Sequence, residues 1–491
     1  MANPIMPTDF GFNFDNSYLH LPGAFYQKQA PSPVQEPAIL VFNQALANDL
    51  GLNAATLVSK GAAYFAGNRL FAGSEPIAQA YAGHQFGHFN RLGDGRAILL
   101  GEHLTPNQQR LDIQLKGAGR TVYSRSGDGR AALGPMLREY LISEAMHALG
   151  VPSTRSLCVT ASGEAVYREE ALPGAILCRL AASHLRVGTF QFAAAEQHPP
   201  LLKALADYTI ARHFPKISQH ESPYLTLLES VIDLQAQLVA RWMQLGFIHG
   251  VMNTDNMSIC GETIDYGPCA FLNSYHHDTV FSSIDKNGRY AYGNQPKMAL
   301  WNLVRLAETL LPLIHTVEEQ AIGLARSSLE KFNTLYADYW LSGMREKLGF
   351  FNAEENDQAL ADMLLQLMQT HQADYTNTFR ALCHGVFKPR SLYQAPEFRH
   401  WVGLWHARLS RQTQSGDESM KLMQSVNPTV IPRNHLVQEA LHAAVYADDL
   451  SAFNALVAAV TKPYIAPNVR DPYQQAPSAS FDHSYKTYCG T

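Results

Sequence analysis

The sequence predicts an α+β fold with a strand-rich amino-terminal lobe, a large helical lobe after it, and a cleft between the two. Residues 91–190 are rich in glycine and alternate like strands, whereas apolar residues recur at helical spacing from about residue 222 onward. With 46% hydrophobic residues among 491, the chain can bury a sizeable core, which excludes wholesale disorder. We expect lobes at residues 1–195 and 196–460, then an extended tail at 461–491 that contains four prolines.

Composition argues against several classes of binding partner for this protein. The net charge is −5 and charged residues make up 16%, so no overall positive excess points to nucleic acid or to an acidic membrane. No apolar run approaches the ~18 residues that cross a bilayer. The first basic residue is Lys28, which argues against a secretory or mitochondrial leader. The six cysteines form no Cys-x-x-Cys pair. We expect a cytoplasmic protein without a nucleic-acid, membrane or zinc partner.

A glycine loop and a strand lysine come first along the chain. Residues 93–96 read Gly-Asp-Gly-Arg before an apolar strand, and glycines there let backbone N–H groups approach phosphate oxygens. The same four residues also suit a plain hairpin turn. Residues 111–116 alternate with period two and end at Lys116, the one lysine between residues 91 and 190. Such a lysine either solubilises an edge strand or reaches a phosphate.

A helix that opens at Pro135 follows this strand. Its apolar stripe contains Leu137 and Leu141, and it carries two acids, Glu139 and Glu144. A strand lysine paired with a helix glutamate is the arrangement that kinase-like enzymes use. Either glutamate could orient Lys116, and the pattern alone does not choose between them.

Arginine is enriched in the same region. Residues 91–190 contain eleven arginines and nine acids. The planar guanidinium group binds phosphate through two N–H donors, so this surplus favours a polyphosphate ligand for some of them and ordinary surface ion pairs for the rest. A helix over residues 180–185 would place Arg179 and Arg186 on one side. The arginines considered are Arg96, Arg120, Arg125, Arg130, Arg179 and Arg186.

Acidic and amide residues follow a long helix. Apolar residues step at helical spacing from Leu227 to Leu245, and Gly246 provides a stop. Asp255 and Asn256 lie in the next loop, and the pattern after them predicts two short strands joined by a turn, with Asp265 at the end. Oxygen ligands of this kind suit Mg²⁺, and a second aspartate can accept a hydroxyl proton. Each residue alone could simply shape a loop, but the ordered set is more specific.

Taken together, these features resemble a protein-kinase-like bilobal fold. The chain is more closely similar to the selenoprotein O family of protein adenylyltransferases. The matching stretches are residues 81–87, 92–96, 114–119, 124–130, 183–186, 247–267, 294–301 and 488–491.

The resemblance implies a pseudokinase that binds ATP in a flipped orientation and transfers AMP to Ser, Thr or Tyr hydroxyls of proteins, releasing pyrophosphate. It implies that Lys116 holds phosphates, that Glu139 pairs with Lys116, and that Asp255 accepts the proton. Asn256 and Asp265 would bind Mg²⁺, with Mn²⁺ as the alternative ion. On this basis residues 1–195 bind nucleotide and residues 196–460 carry the catalytic loop, and we expect a monomer. The remaining implied nucleotide contacts are Gly93, Gly95, Arg96, Asp128, Gly129, Arg179, Arg186 and Asp265.

The sequence is also compatible with two other functions. A kinase with the ordinary nucleotide orientation needs the same lysine, metal and base, and a nucleotide-binding scaffold needs fewer of them. The intact Asp255, Asn256 and Asp265 argue against a scaffold. The family resemblance also raises a regulatory disulfide from Cys489 in the tail. Cys269 is the nearest candidate partner, whereas Phe281 stands where a partner cysteine is expected.

Overall fold

The computed structural model describes residues 9–465 and 472–488. The strands are β1 (Tyr26–Lys28), β2 (Ala38–Phe42), β3 (Ile77–Gln85), β4 (His88–Gly93), β5 (Ala97–Leu104), β6 (Arg110–Lys116), β7 (Arg155–Tyr167), β8 (Ala171–Ala181), β9 (Phe247–Ile248) and β10 (Ala270–Phe271). The helices are α1 (Gln44–Asp49), α2 (Ala54–Lys60), α3 (Ala62–Phe65), α4 (Leu133–Ala148), α5 (Val187–Ala195), α6 (Pro199–His213), α7 (Pro223–Leu245), α8 (Gln295–Ile314), α9 (Glu318–Lys347), α10 (Asp357–Thr370), α11 (Tyr375–His384), α12 (Ser391–Gln394), α13 (Pro396–Leu409), α14 (Gly416–Val426), α15 (Asn434–Tyr446), α16 (Ser451–Val460) and α17 (Ala479–Ser484).

An antiparallel sheet dominates the amino-terminal region. Within the described residues it has eight strands in the order β1-β3-β5-β6-β8-β7-β2, and β4 pairs with β3 beside that path. The expected strand at residues 111–116 is β6, which lies between β5 and β8. Lys116 lies opposite Leu177, and Gln114 lies opposite Arg179. Because side chains two residues apart share a face, this register brings Arg179 and Lys116 to the same side of the sheet.

The two faces of the sheet bury different cores. Ile98, Leu100 and Ile113 pack under the short helices α1 to α3. The alternate residues, including Leu99 and Leu177, pack on α4 and the helical region beyond it. The sheet is therefore covered on both sides, and the polar side chains that end its strands are directed toward the helical lobe.

The helical region is built around α7, which packs against α8 and α9. The expected stop is confirmed, since Gly246 adopts a left-handed conformation with φ 71° after Leu245. The arrangement of an amino-terminal sheet and a carboxy-terminal helical region confirms the predicted kinase-like bilobal fold. No helix in the two described ranges combines the length and the apolar character needed to cross a membrane.

Local expectations failed in two places where distant segments supply the backbone partners. Residues 180–185 are not helical, because β8 continues to Ala181 and a loop leads to α5. The strands expected around the turn at residues 261–262 do not pair with each other. Ser258 bridges to Arg186 and Thr263 to Ser153 instead.

The tail is not wholly extended in its described part, because α17 spans Ala479–Ser484. Cys489, which was assigned to this tail, lies outside the described residues.

Candidate active site

Four charged side chains from separate elements meet beneath the sheet. Lys116 Nζ, at the end of β6, donates to Glu139 Oε2 on α4 at 2.5 Å. The same ammonium group also contacts Asp265 Oδ1. Arg179 Nη1, on β8, donates to Glu139 Oε1 at 3.0 Å and lies 3.6 Å from Asp265 Oδ1. The predicted strand lysine, helix glutamate and loop aspartate therefore form one cluster, to which Arg179 adds a second cation. Its members are buried except for Asp265, whose side chain is 33% exposed.

The structure separates the two candidate glutamates. Glu144 points to the opposite side of α4, where it accepts hydrogen bonds from Arg155 Nη2 at 2.7 Å and from Asn43 Nδ2 at 2.7 Å. Five helical residues turn the side chain by roughly 140°, so Glu139 and Glu144 cannot share a face. Glu139 is the partner of Lys116, and Glu144 ties α4 to β7.

The electrostatics of Asp265 follow from this cluster. Burial alone would raise the pKa of Asp265, but Lys116, Arg179 and Arg96 hold that pKa far below its usual range. The residue also has φ 68°, in the left-handed region that side chains other than glycine rarely adopt. A strained backbone at a charged residue is characteristic of functional sites.

Asp255 is the second acid of the site. It is 7% exposed, and its Oδ1 has no hydrogen-bond partner among the described residues. Gln85 Nε2 lies 3.4 Å from the other oxygen, Oδ2. Burial raises the pKa of Asp255 to about 6, with Arg186 opposing the shift. A carboxylate with a pKa close to neutral is suited to accept a proton.

The β3–β4 hairpin holds the loop that contains Asp255. His84 N donates to Thr254 Oγ1 at 2.7 Å, and Phe86 N donates to Asn253 Oδ1 at 3.1 Å. Thr254 in turn donates to Gln191 Oε1 at 2.6 Å. Sequence reasoning gave the stretch 81–87 no role beyond a family resemblance. The sequence feature that could have indicated a role is the pair Gly83 and Gly87, which flank the polar residues His84 and Gln85.

Arg186 connects the hairpin to the acidic loop. Its guanidinium group lies over the Tyr81 ring at 4.2 Å from the centroid, and its Nη1 donates to the Asp255 carbonyl oxygen at 3.2 Å. Asp94 of the glycine loop lies 3.8 Å from the same guanidinium group. The predicted Arg186 therefore lies beside Asp255 and Asp94, even though the expected helix at 180–185 is absent.

The glycine loop packs closely on the segment that follows β6. A Cβ at Gly93 would lie 2.3 Å from the Tyr123 ring, and one at Gly95 would lie 2.9 Å from the Tyr123 carbonyl oxygen. Gly129 has φ 71° and packs on the Gly119 backbone. Close backbone contact requires glycine at these three positions.

Other predicted polar residues face elsewhere. Asp128 pairs with Arg168 at 2.9 Å, and among the described residues no hydrogen bond or ion pair joins Asp128 to the Lys116 cluster. Arg120 donates to the Arg125 carbonyl oxygen, and Arg130 donates to carbonyl oxygens of residues 32 and 33. These arginines stabilise loops.

The residues expected to hold a metal supply few ligands of their own. Asn256 Nδ2 donates to the Val251 carbonyl oxygen at 3.1 Å, which leaves the side-chain oxygen available. Residues 9–465 and 472–488 contain no group of three His, Cys, Asp or Glu side chains placed to bind a metal ion. Mg²⁺ commonly takes one or two protein oxygens and completes its shell with phosphate and water. Asn256 and Asp265 fit that pattern.

Comparison with known proteins identifies the family of the chain. The family described as protein adenylyltransferase SelO matches residues 10–461. The protein nucleotidyltransferase YdiU of Bacillus cytotoxicus is 57% identical over 482 residues, which cover 98% of each chain. The YdiU protein of Geobacillus kaustophilus is 56% identical over 484 residues, which cover 98% of this chain and 100% of that one. The chain belongs to the SelO family of protein adenylyltransferases.

Proposed function

We propose that this protein adenylyltransferase transfers AMP from ATP to Ser, Thr or Tyr hydroxyls of proteins at the cleft between the sheet and the helical lobe. The observation that carries the proposal is the ammonium group of Lys116, held between Glu139 and Asp265 beside Arg179. A buried, preorganised pair of cations is suited to a triphosphate.

Lys116 and Arg179 hold phosphate oxygens, with Arg96 and Arg186 next to them. A flipped nucleotide would place its phosphates where ordinary kinases bind an apolar adenine, and the number of buried cations here supports that orientation. Gly93 and Gly95 are assigned to nucleotide contact on the family resemblance, and both accommodate Tyr123, which packs on the glycine loop. Asp128 and Gly129 are assigned to nucleotide contact on the family resemblance alone.

Asn256 and Asp265 hold Mg²⁺, with Mn²⁺ as the alternative. The bound ion would neutralise charge on the phosphates. Glu139 keeps Lys116 in place. The ammonium group of Lys116 therefore remains directed at the phosphates when Asp265 binds the metal ion.

Asp255 accepts the proton of the attacking hydroxyl. The new bond joins the hydroxyl oxygen to the α-phosphorus, and the bond from the α-phosphorus to the bridging oxygen breaks, so that pyrophosphate leaves with that electron pair. The pKa of Asp255, which burial raises to about 6, supports this role, because a group with a pKa near neutrality can accept a proton. We assign residues 1–195 to nucleotide binding, 196–460 to the catalytic lobe and 461–491 to the tail, in a monomeric cytoplasmic protein.

The test is a pair of reactions with a protein acceptor and ATP labelled at either the α or the γ phosphate. Label from the α position should appear on the acceptor, and label from the γ position should appear in pyrophosphate. Asp255→Asn and Asp265→Ala should each abolish transfer. Transfer of the γ label alone would identify a kinase and contradict the proposal.

A further inference from the structure

A buried glutamine of β6 connects two parts of the candidate site. The amide oxygen of Gln114 accepts two hydrogen bonds from Arg179, one from Nη2 at 2.6 Å and one from Nε at 3.2 Å. The amide nitrogen of Gln114 donates to Asp94 Oδ2 at 3.3 Å. The register of the sheet allows the first contact, because Gln114 lies directly opposite Arg179 in the β6–β8 pair. Gln114 therefore joins Arg179 to the glycine loop at residues 93–96.

The chemistry of the two neighbours favours an amide at this position. A guanidinium group can only donate hydrogen bonds, whereas an ionised carboxylate can only accept them. A side chain between Arg179 and Asp94 must therefore present an oxygen to one and an N–H group to the other, which the amide of Gln114 does. Glutamate would place a second carboxylate beside Asp94, and methionine would provide no donor and only a weak acceptor.

Asp94 is a fixed anchor for these hydrogen bonds. It is 2% exposed, and its Oδ2 also accepts the backbone N–H of Gln79 at 3.1 Å. Its own N–H donates to the Gln79 carbonyl oxygen at 2.9 Å, and its carbonyl oxygen accepts from Thr121 Oγ1 at 2.6 Å. The remaining carboxylate oxygen, Oδ1, lies 3.8 Å from Arg186 Nη2. The acid of the glycine loop is thus directed into the protein, next to both Gln114 and Arg186.

The orientation of Arg179 depends on Gln114. Arg179 Nη1 donates to Glu139 Oε1 at 3.0 Å, on the carboxylate that also accepts from Lys116. A planar guanidinium group held through Nη1 alone could turn about that contact, whereas the two bonds from Nε and Nη2 to Gln114 fix its plane. Gln114 itself is 0% exposed, so it can act on a bound ligand only through its neighbours.

We propose that Gln114, anchored by Asp94, is a positioning residue that holds the guanidinium plane of Arg179 toward the triphosphate of ATP. This inference rests on the proposed function and adds two buried residues to the nucleotide site. Donors that are already oriented need no reorganisation when the ligand binds. Loss of the Gln114 amide should therefore weaken nucleotide binding, although Gln114 contacts no phosphate.

The test measures the Kd of the full chain for a non-hydrolysable ATP analogue with Mg²⁺ by calorimetry. Gln114→Met should weaken binding by about tenfold, the effect of losing hydrogen bonds to a charged group. Arg179→Gln should weaken binding at least as much. Because Gln114 acts through Arg179, the double variant should bind no more weakly than Arg179→Gln alone. Losses in Kd that multiply in the double variant would overturn the inference, since they would show that the two residues act independently.

A second variant and a matched control complete the test. Gln114→Glu keeps the size of the side chain but pairs a negative charge with Arg179 and directs it at Asp94, so it should also weaken binding by at least about tenfold. Gln244 of α7 is a buried glutamine, 3% exposed, whose Oε1 accepts from Arg241 Nη1 at 3.3 Å. Gln244→Met should leave the Kd unchanged. A near-ultraviolet circular dichroism spectrum checks the fold of each variant.

The outcomes separate this inference from the proposed function. A wild-type Kd in Gln114→Glu, or in folded Gln114→Met, would overturn the inference and leave the nucleotide site in place. Failure of the wild type to bind the analogue would contradict the nucleotide site itself. Weaker binding in the Gln114 variants, without AMP transfer to proteins by the wild type, would count against the proposed function and leave the positioning role standing.

Discussion

Gly83 lies against Asp255 so closely that no side chain fits between them. A Cβ at residue 83 would be 2.3 Å from Asp255 Oδ1, the oxygen that has no hydrogen-bond partner among the described residues. The backbone of Gly83 is outside the left-handed region, so contact, and not conformation, requires glycine here. The β3–β4 hairpin therefore defines where the carboxylate of Asp255 sits.

Gly83→Ala should lower kcat by about 100-fold, because a displacement of the base by an ångström disrupts the alignment of reacting groups. The measurement is AMP transfer from α-labelled ATP, with a thermal unfolding curve to check the fold. Gly323→Ala is the control: its Cβ would meet nothing within 4 Å on α9, and it should stabilise the chain by about 0.5–1 kcal/mol without loss of activity. A wild-type rate in Gly83→Ala would contradict the assignment of Asp255.

Glu139→Gln and Glu144→Gln should have different effects. The first weakens the hold on Lys116 and should reduce kcat/KM for ATP by at least about tenfold. The second leaves the nucleotide cluster intact but weakens the contacts to Arg155 and Asn43, which should lower the free energy of unfolding by about 1–3 kcal/mol. Steady-state kinetics and urea unfolding of both variants check this. A loss of kcat/KM in Glu144→Gln, together with a loss of stability alone in Glu139→Gln, would show that Glu144 orients Lys116.

The sequence could not make this choice because α4 is buried on almost every side. Glu139 and Glu144 are only 2% and 4% exposed, so an amphipathic pattern carries no information about which of them faces the cleft. By contrast, β6 alternates cleanly and α7 has a regular apolar stripe ended by Gly246. The periodicity of the local sequence is enough to predict such elements, and both β6 and α7 were predicted.

Contacts between distant segments account for what was missed. The hydrogen bonds that hold the Asp255 loop come from the β3–β4 hairpin, about 170 positions away, with His84 and Phe86 as donors. The backbone partners of Ser258 and Thr263 are Arg186 and Ser153, where a local hairpin was expected. Single-sequence patterns do not encode such pairings, whereas the residue types that carry the chemistry were recognisable from their order.

Oxidation should not join Cys269 to Cys489. Cys269 is buried, and burial raises the pKa of its thiol to about 11, so little reactive thiolate exists near neutral pH. Non-reducing gels of the wild type and of Cys489→Ser should therefore show the same mobility after oxidant treatment. A faster wild-type band that is absent in Cys489→Ser would demonstrate an intramolecular bridge.

Lys347 should make the free energy of unfolding increase with pH above neutrality. Burial lowers the pKa of Lys347 from 10.5 to about 7, although its ammonium group donates to Asn427 Oδ1 at 2.8 Å and lies 4.1 Å from the Phe379 ring centroid. The unfolded chain then binds more protons between these two pKa values, so stability rises with pH across that window, by at most about 1.4 kcal/mol per pH unit.

Lys347→Met should remove this rise, as measured by urea unfolding at about pH 7 and about pH 9. Lys331→Met is the matched control, because Lys331 is an exposed lysine of the same helix, paired with Glu229. It should keep the wild-type pH dependence. Identical slopes in Lys347→Met and the wild type would show that Lys347 is charged in the folded chain at both pH values.

The most direct test of the nucleotide site is a crystal structure with Mg²⁺ and a non-hydrolysable ATP analogue. The phosphates should contact Lys116 and Arg179, the cation should contact Asn256 and Asp265, and the α-phosphorus should face Asp255. An analogue bound elsewhere, with the Lys116–Asp265 contact unchanged and the cation on other ligands, would contradict the account.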